Sequence, residues 1–422
     1  MVPDNGGNPN DSGGNPNPSG KNTSYLRDIQ PLIERSCKTC HTAGGVAPLA
    51  LDTPEQVITL APALLNAIES GRMPPFFAAT SCRSWNDDPR LNDGEKALFK
   101  AWVAEGTPLG NAADARHAPT PQLPTVRHDL DLSIGGDFDV RKMNDTDNYQ
   151  CFVMNPGNTV DLMVKGFEVT PGNVAVAHHL LAYVVAPDQV SQLEALDAKD
   201  PRLGYSCQSG GVGIAGAVQN QIAGWVPGQY PSRLPADTAL LLPANSRIVV
   251  QMHYNLNALA NPAVSPFDQT RLALETAPIG TYRQSRILPM LKPRLDIAAG
   301  DTNSVQTLET PLPASFRGAT IYSASGHAHQ LAKQVKLEVV RADNSVECIL
   351  DNPNWDFNWQ RTYSMTTPVK LQPGDKLRIT CVYDNSPMNQ PIINGVQKTP
   401  TTVNWGESSF DEMCMTYLTF SQ

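Results

Sequence analysis

This chain is predicted to be mainly β, preceded by one small α-helical domain. Its 422 residues exceed what a single hydrophobic core serves and suggest three domains of ordinary size. Pro 36 and Gly 30 supply many turn formers, and short β-branched runs of strand length lie between them. Helical patterning is concentrated before about residue 110. Lys+Arg 32 against Asp+Glu 41 leaves a net charge of −9 with no basic patch. That balance argues against nucleic acid and anionic membrane surfaces as partners.

In chain order, Met1–Thr23 is rich in Asn, Pro, Gly and Ser and is expected to be a disordered tether. The amphipathic stretch Tyr25–Ile33 then leads into Cys37-Lys38-Thr39-Cys40-His41. A C-x-x-C-H run is the attachment signal of c-type haem: two thiols bond the porphyrin and the imidazole takes one axial face of the iron. The plainer reading is a zinc or redox C-x-x-C beside a chance histidine. Met73 weighs against it, being the only methionine between Met1 and Met143 and sitting in Gly71-Arg72-Met73-Pro74-Pro75. A thioether is a common sixth ligand of haem iron, and prolines stiffen its loop. Next, Asn92-Asp93-Gly94-Glu95 opens a helix with an N-cap and a Glu at N3, placing Leu98, Ala101 and Trp102 on one stripe.

Helix, C-x-x-C-H, methionine loop and closing helix together resemble a small class I cytochrome c over residues 24–112. The resemblance implies one covalently bound haem c, held by Cys37 and Cys40 with His41 and Met73 as axial ligands. Residues 113–125, with Pro119, Pro121 and Pro124, read as the linker out of it. No apolar run reaches the length of a membrane span and no signal peptide is seen. Covalent haem attachment nevertheless requires export. The expectation is a periplasmic or cell-surface protein whose leader has been removed, with 1–23 as its tether from a lipid anchor. The other cysteines are Cys82, Cys151, Cys207, Cys348, Cys381 and Cys414. An even number in an oxidising compartment favours disulfides, and six allow fifteen pairings.

Eight histidines occur, and five of them gather as His178-His179, His253 and His327-Ala328-His329, all in strand-like sequence. In Ser246–Asn255, alternation puts Ile248, Val250, Met252 and Tyr254 on one face and Gln251, His253 and Asn255 on the other. His327 and His329 are i and i+2, so both imidazoles leave one face of a strand and can chelate one metal. His178 and His179 are adjacent and would point to opposite faces unless a bulge, twist or strand end intervenes. Each histidine alone is ordinary. The grouping is not, and nitrogen-rich sets of this kind suit copper, zinc or iron.

The landmarks continue in order. Asp147-Asn148-Tyr149-Gln150-Cys151 precedes Ala177-His178-His179-Leu180-Leu181, then Trp225 and Arg233-Leu234-Pro235. Val250-Gln251-Met252-His253-Tyr254, Gly326-His327-Ala328-His329, Gly374-Asp375, Cys381-Val382-Tyr383 and Asp411-Glu412-Met413-Cys414 follow. This series resembles the copper type II, ascorbate-dependent monooxygenases, the peptidylglycine α-hydroxylating and dopamine β-hydroxylating family, over about residues 126–422.

The resemblance implies two consecutive antiparallel β-sandwich (jelly-roll) domains, 126–268 and 269–422, each holding one copper across a solvent-filled cleft. His178, His179 and His253 would bind the electron-transfer copper. His327, His329 and Met413 would bind the copper that meets O2, with Tyr417 facing the substrate. A soft thioether favours Cu(I), and a His-His-Met set is an unusual zinc site. The matched positions also imply the disulfides Cys151–Cys207 and Cys381–Cys414. Cys82 and Cys348 have no partner in the family pattern, leaving two alternatives: a pair stapling the cytochrome to the second copper domain, or free thiols.

The implied reaction is R–H + O2 + 2e⁻ + 2H⁺ → R–OH + H2O on a small molecule or peptide. Electrons would enter through the fused haem from a periplasmic one-electron donor, or from an ascorbate-like reductant. Ser325 stands where peptide-hydroxylating members carry an Arg for a carboxylate, and Met415 stands where they carry Asn. A carboxylate-terminated peptide is therefore disfavoured against a less charged or more apolar substrate. Trp355-Asp356-Phe357-Asn358-Trp359 could line such a pocket, although packing is its commoner use. The competing expectations are a non-catalytic haem/copper electron-transfer or copper-handling protein, and a surface protein with vestigial metal motifs.

Overall fold

The computed structural model describes residues 22–43, 47, 49–119, 124–143, 147–207, 211–227, 229–312, 316, 318–393, 396–406 and 408–422. The expected tether therefore lies outside the described residues up to position 21. The chain divides into two compact units, one of residues 1–76 with 87–122 and one of residues 77–86 with 123–422.

The smaller unit is helical. Tyr25–Ile29 and Gln30–Ser36 form the entry helix, and Asp93–Ala104 closes the unit. The closing helix begins as its sequence demands. Glu95 N–H donates to the Asn92 side chain at 3.0 Å, and the Glu95 carboxylate accepts the Asn92 N–H at 2.9 Å. Its buried face is Phe99 and Trp102, with Leu98 packed beside them, so the expected stripe is turned toward Phe99. Phe99 lies one turn before Trp102, the two rings meet at 5.4 Å, and Tyr25 joins Trp102 at 6.0 Å. A further helix, Pro54–Glu69, was not expected. Its signal was in the sequence: Thr53 and Gln56 form a capping box around Pro54.

The larger unit is almost wholly β. Its first half has a five-stranded antiparallel sheet ordered 205–206, 147–154, 247–255, 177–185, 221–225. Ile248, Val250, Met252 and Tyr254 face a core shared with Val164, Phe167, Leu272 and Leu274 of a second sheet, as the alternation requires. That second sheet runs on through both halves in the order 130–133, 271–278, 162–170, 238–242, 283–291, 415–421, 320–327, 362–370. The halves join where Thr238 and Ala239 run parallel to Arg283 and Gln284. A four-stranded antiparallel sheet, 304–311, 376–383, 332–340, 346–352, belongs to the second half. The strand Arg271–Pro278 pairs with both Leu130–Ser133 and Leu162–Thr170. It completes the first half, so the expected division between 268 and 269 falls one strand early.

The expected 24–112 domain also differs from the structure, because residues 77–86 belong to the larger unit. This segment crosses the two edge strands of the second half. Ala79 N–H donates to the Asp351 carbonyl at 2.8 Å and Asn86 N–H to the Ser364 carbonyl at 2.8 Å, while Trp85 bridges to Met365. Arg83 donates to the Cys348 carbonyl at 3.0 Å and pairs with Glu347, and the Trp85 ring lies 5.6 Å from Tyr363. Unpaired strand edges must be covered or paired, and this segment covers two of them. Cys82 and Cys348 form a disulfide inside this unit. Of the two alternatives the pair is the one that forms and free thiols are excluded; Cys82 sits on the segment 77–86, inside the expected 24–112 domain but grouped with the larger unit.

Candidate metal centre

The centre starts from one strand pair. His253 on Arg247–Asn255 stands directly opposite His179 on Ala177–Val185. The next pair is Tyr254 with Ala177, so His178 is the extra residue of a bulge. That bulge answers the expectation from two adjacent histidines: ligand atoms of His178, His179 and His253 all lie within 4.8 Å of one another. His179 Nδ1 is 3.2 Å from His178 Nδ1 and 3.3 Å from His253 Nδ1. Three ring nitrogens converging so closely are better satisfied by a shared cation than by one another. On the other flank, Tyr149 stands opposite His253 in register and stacks on its ring at 4.2 Å.

His327 ends the strand Thr320–His327, paired with Met415 of the strand Met415–Ser421. His329 follows two residues later and is buried, as is Met413. Several bonds pin this region. His329 Nδ1 is 3.1 Å from the Asp411 carbonyl, and the Tyr383 hydroxyl donates to the Met413 carbonyl at 2.6 Å. The buried Glu412 carboxylate accepts N–H groups of His329 at 2.8 Å, Leu331 at 2.6 Å and Met413 at 3.3 Å. Burial pushes the Glu412 carboxyl up to about 8, while those N–H groups pull it back down. The Cys381–Cys414 disulfide fixes the residue after Met413, and Cys151–Cys207 does the same beside the strand of Tyr149. Both pairings match those the resemblance implied.

The two histidine sets adjoin each other: the His179 and His327 rings are 6.2 Å apart. This departs from the expected open cleft between the metals. Phe357 stacks on His178 at 5.1 Å and meets His329 edge-on at 6.0 Å. Trp355 Nε1 donates to the His329 carbonyl at 3.2 Å. The aromatic string, for which packing was the preferred reading, therefore lies against the histidines. His327 Nδ1 bonds to Gln360 Oε1. Gln360, Tyr149 and Glu412 were not assigned roles by sequence reasoning, and Glu412 stood unremarked inside the Asp411–Cys414 motif. Tyr417 lies opposite Ser325 and Pro289, and burial pushes its phenol up to about 12.

Burial and the surrounding imidazoles hold His179 well below its ordinary value, and burial lowers His327 to about 4. Both rings are neutral at physiological pH, the state that coordinates a metal. With His327 Nδ1 on Gln360 and His329 Nδ1 on a carbonyl, the Nε2 lone pair of each remains available. Five imidazoles and a buried thioether fit copper in both oxidation states.

In the smaller unit, Cys37 and Cys40 are outside any disulfide, and Cys40 and His41 N–H groups both donate to the Cys37 carbonyl, at 3.2 and 3.0 Å. His41 Nδ1 is 3.0 Å from the Leu49 carbonyl, which leaves Nε2 for a metal. Met73 N–H donates to the Ala67 carbonyl at 3.0 Å and its side chain is 39% exposed. Two thiols on one turn beside an oriented imidazole fit covalent haem attachment.

Residues 291–422 match the family model described as the copper type II ascorbate-dependent monooxygenase, C-terminal domain. Tyramine beta-hydroxylase of Caenorhabditis briggsae is 23% identical over 269 residues, covering 59% of this chain and 40% of that protein. MOXD1 homolog 1 of Drosophila melanogaster is 26% identical over 103 residues, 24% of this chain and 13% of that protein. The chain thus spans less than half the length of these relatives. Among solved structures, the major capsid protein P2 of bacteriophage PM2 aligns with 65% of this chain and 97% of its own, at 8% identity and a TM-score of 0.27, too low to inform the fold. The family match covers the part of the chain that carries His327, His329 and Met413.

Proposed function

We propose that this chain is a copper-dependent monooxygenase that hydroxylates an unactivated C–H bond, with a c-type cytochrome domain as its electron inlet. The observation that carries the reading is the convergence of five histidines and a buried methionine region within the larger unit. His178, His179 and His253 are the ligands of one copper, and His327, His329 and Met413 of the other. Bound there, the metals supply one-electron chemistry and O2 activation. The protein's part is to keep His179 and His327 neutral, orient His327 through Gln360 and His329 through the Asp411 carbonyl, and hold Met413 between Glu412 and the disulfide. The two halves of the larger unit are read as consecutive jelly-roll sandwiches.

The relative named as a hydroxylase supports the reaction class. Phe357 and Tyr149 beside the histidines, and Ser325 in place of an arginine, support a substrate that is apolar rather than carboxylate-terminated. Cys37, Cys40, His41 and Met73 are assigned to haem c, which takes electrons from a one-electron donor outside the cytoplasm. Disulfides in the larger unit agree with an oxidising compartment. The test is metal stoichiometry with X-ray absorption on the reduced protein. The expected result is one iron and two coppers per chain, with a sulfur scatterer at copper that is lost in Met413→Ala. Copper binding well below two equivalents, or no change in Met413→Ala, refutes the assignment.

A further inference from the structure

We infer that Gln360 is a positioning residue for His327, and that the loop 353–361 carries it there as a strap over both histidine sets. The inference rests on the reading of His327 as a copper ligand and adds the residue that orients it. Three contacts define the strap. Trp355 Nε1 donates to the His329 carbonyl at 3.2 Å, Phe357 lies against His178 and His329, and Gln360 Oε1 bonds to His327 Nδ1. The strap anchors itself as well. Trp355 N–H donates to the Lys333 carbonyl at 2.9 Å, and Gln360 Nε2 donates to the Phe357 carbonyl at 3.0 Å.

That last bond decides the chemistry. An amide has one acceptor oxygen and one donor nitrogen, and the nitrogen of Gln360 is committed to a carbonyl, which can only accept. Its oxygen therefore faces His327 Nδ1, and an oxygen acceptor there requires Nδ1–H. The Nδ1–H tautomer leaves the lone pair on Nε2, so Gln360 selects the coordinating nitrogen of His327 as well as its ring orientation. His329 is held the same way by a main-chain carbonyl, which no side-chain substitution removes. His327 depends instead on a side chain 33 residues away, which makes it the ligand open to adjustment.

The experiment titrates copper into the full chain, wild type, Gln360→Leu and Gln360→Glu, and reads affinity for each equivalent with thermal melting as the folding control. Loss of a ligand's oriented hydrogen bond lowers metal affinity about 10- to 100-fold. Gln360→Leu is expected to weaken one equivalent by that factor and leave the other unchanged. Gln360→Glu, which keeps the acceptor, is expected to hold both equivalents at least as tightly as wild type. Unchanged affinity in Gln360→Leu overturns the inference, as does equal weakening in Gln360→Glu. If Gln360→Leu fails to melt cooperatively, Gln360→Asn replaces it: one methylene shorter and still polar, it must show the same selective weakening or the inference falls. Wild type binding no copper is a separate result, which sinks the functional reading itself.

Discussion

Glu412 offers the sharpest test of how the second ligand set is held. Glu412→Ala removes a fully buried carboxylate that accepts from the N–H groups of His329, Leu331 and Met413. Each buried donor left unsatisfied costs roughly 1–3 kcal/mol, and relaxation with entry of water keeps the total toward the lower end, roughly 3–6 kcal/mol. In a unit of this size about 1 kcal/mol moves the melting temperature by about 2 °C. The metal-free variant should therefore melt roughly 6–12 °C below wild type. Glu412→Gln keeps the shape and one acceptor oxygen but turns an NH2 toward backbone donors, so it should fall between the two. Differential scanning calorimetry of the metal-free chain at pH 9, above the value of about 8 to which burial pushes the Glu412 carboxyl, measures this, with the melt of the smaller unit separated from that of the larger. Glu412 also holds the His329 N–H, so copper affinity at one equivalent should drop in the Ala variant. A melt within about 2 °C of wild type would refute the claim that this carboxylate organises the loop.

Three further outcomes follow from the same geometry. His253→Ala should lose one copper equivalent and spare the thioether signal at the other; loss of both would mean the two sets cannot be loaded separately. Buried neutral histidines make the folded state bind fewer protons than the unfolded one between about pH 4 and the ordinary histidine value of about 6.5. The stability this contributes is present above about pH 6.5 and lost as pH falls toward 4, on the order of 2–3 kcal/mol for His327 alone. His327→Asn should flatten that part of the melting-temperature profile, and an unaltered slope would contradict it. Replacing Cys381 and Cys414 by Ser opens a loop with a sequence separation of 33, at a cost of about 3.7 kcal/mol in the chain-entropy account. The double variant should also bind the thioether-ligated copper more weakly, measurable by competition with a Cu(I) chelator, and unchanged affinity would count against a fixed Met413.

Much of the centre was legible because its signals are local. Adjacent His178 and His179 on a strand call for a bulge, twist or strand end, and the pairing slips at that residue. Alternation in Ser246–Asn255 assigns His253 its face, and Asn92 with Glu95 announces a helix start. What stayed hidden depends on contacts distant in sequence. Nothing near Gln360 says that it will meet His327, and Glu412 bonds residues more than 80 positions away. The helix Pro54–Glu69 differs, since its capping box at Thr53 and Gln56 is a local signal. The early division at 268 arose because the strand Arg271–Pro278 follows a histidine motif in sequence yet completes a sheet opened by Leu130–Ser133.

The ten residues 77–86 make the two units inseparable at the level of the gene. The smaller unit is encoded in two pieces, and a fragment of the larger one is written between them. A deletion of residues 1–122, the obvious way to remove the smaller unit, would also strip two strand edges of their cover and leave Cys348 as a lone thiol. Such a truncated protein would be prone to edge-to-edge association and mispaired oxidation, and loss of activity in it would say nothing about electron transfer. Domain exchange that respects the architecture must replace 1–76 and 87–122 together while leaving the intervening ten codons untouched. Shuffling by a single crossover cannot do that, so a lineage that acquired this arrangement would be expected to keep or lose both modules as one.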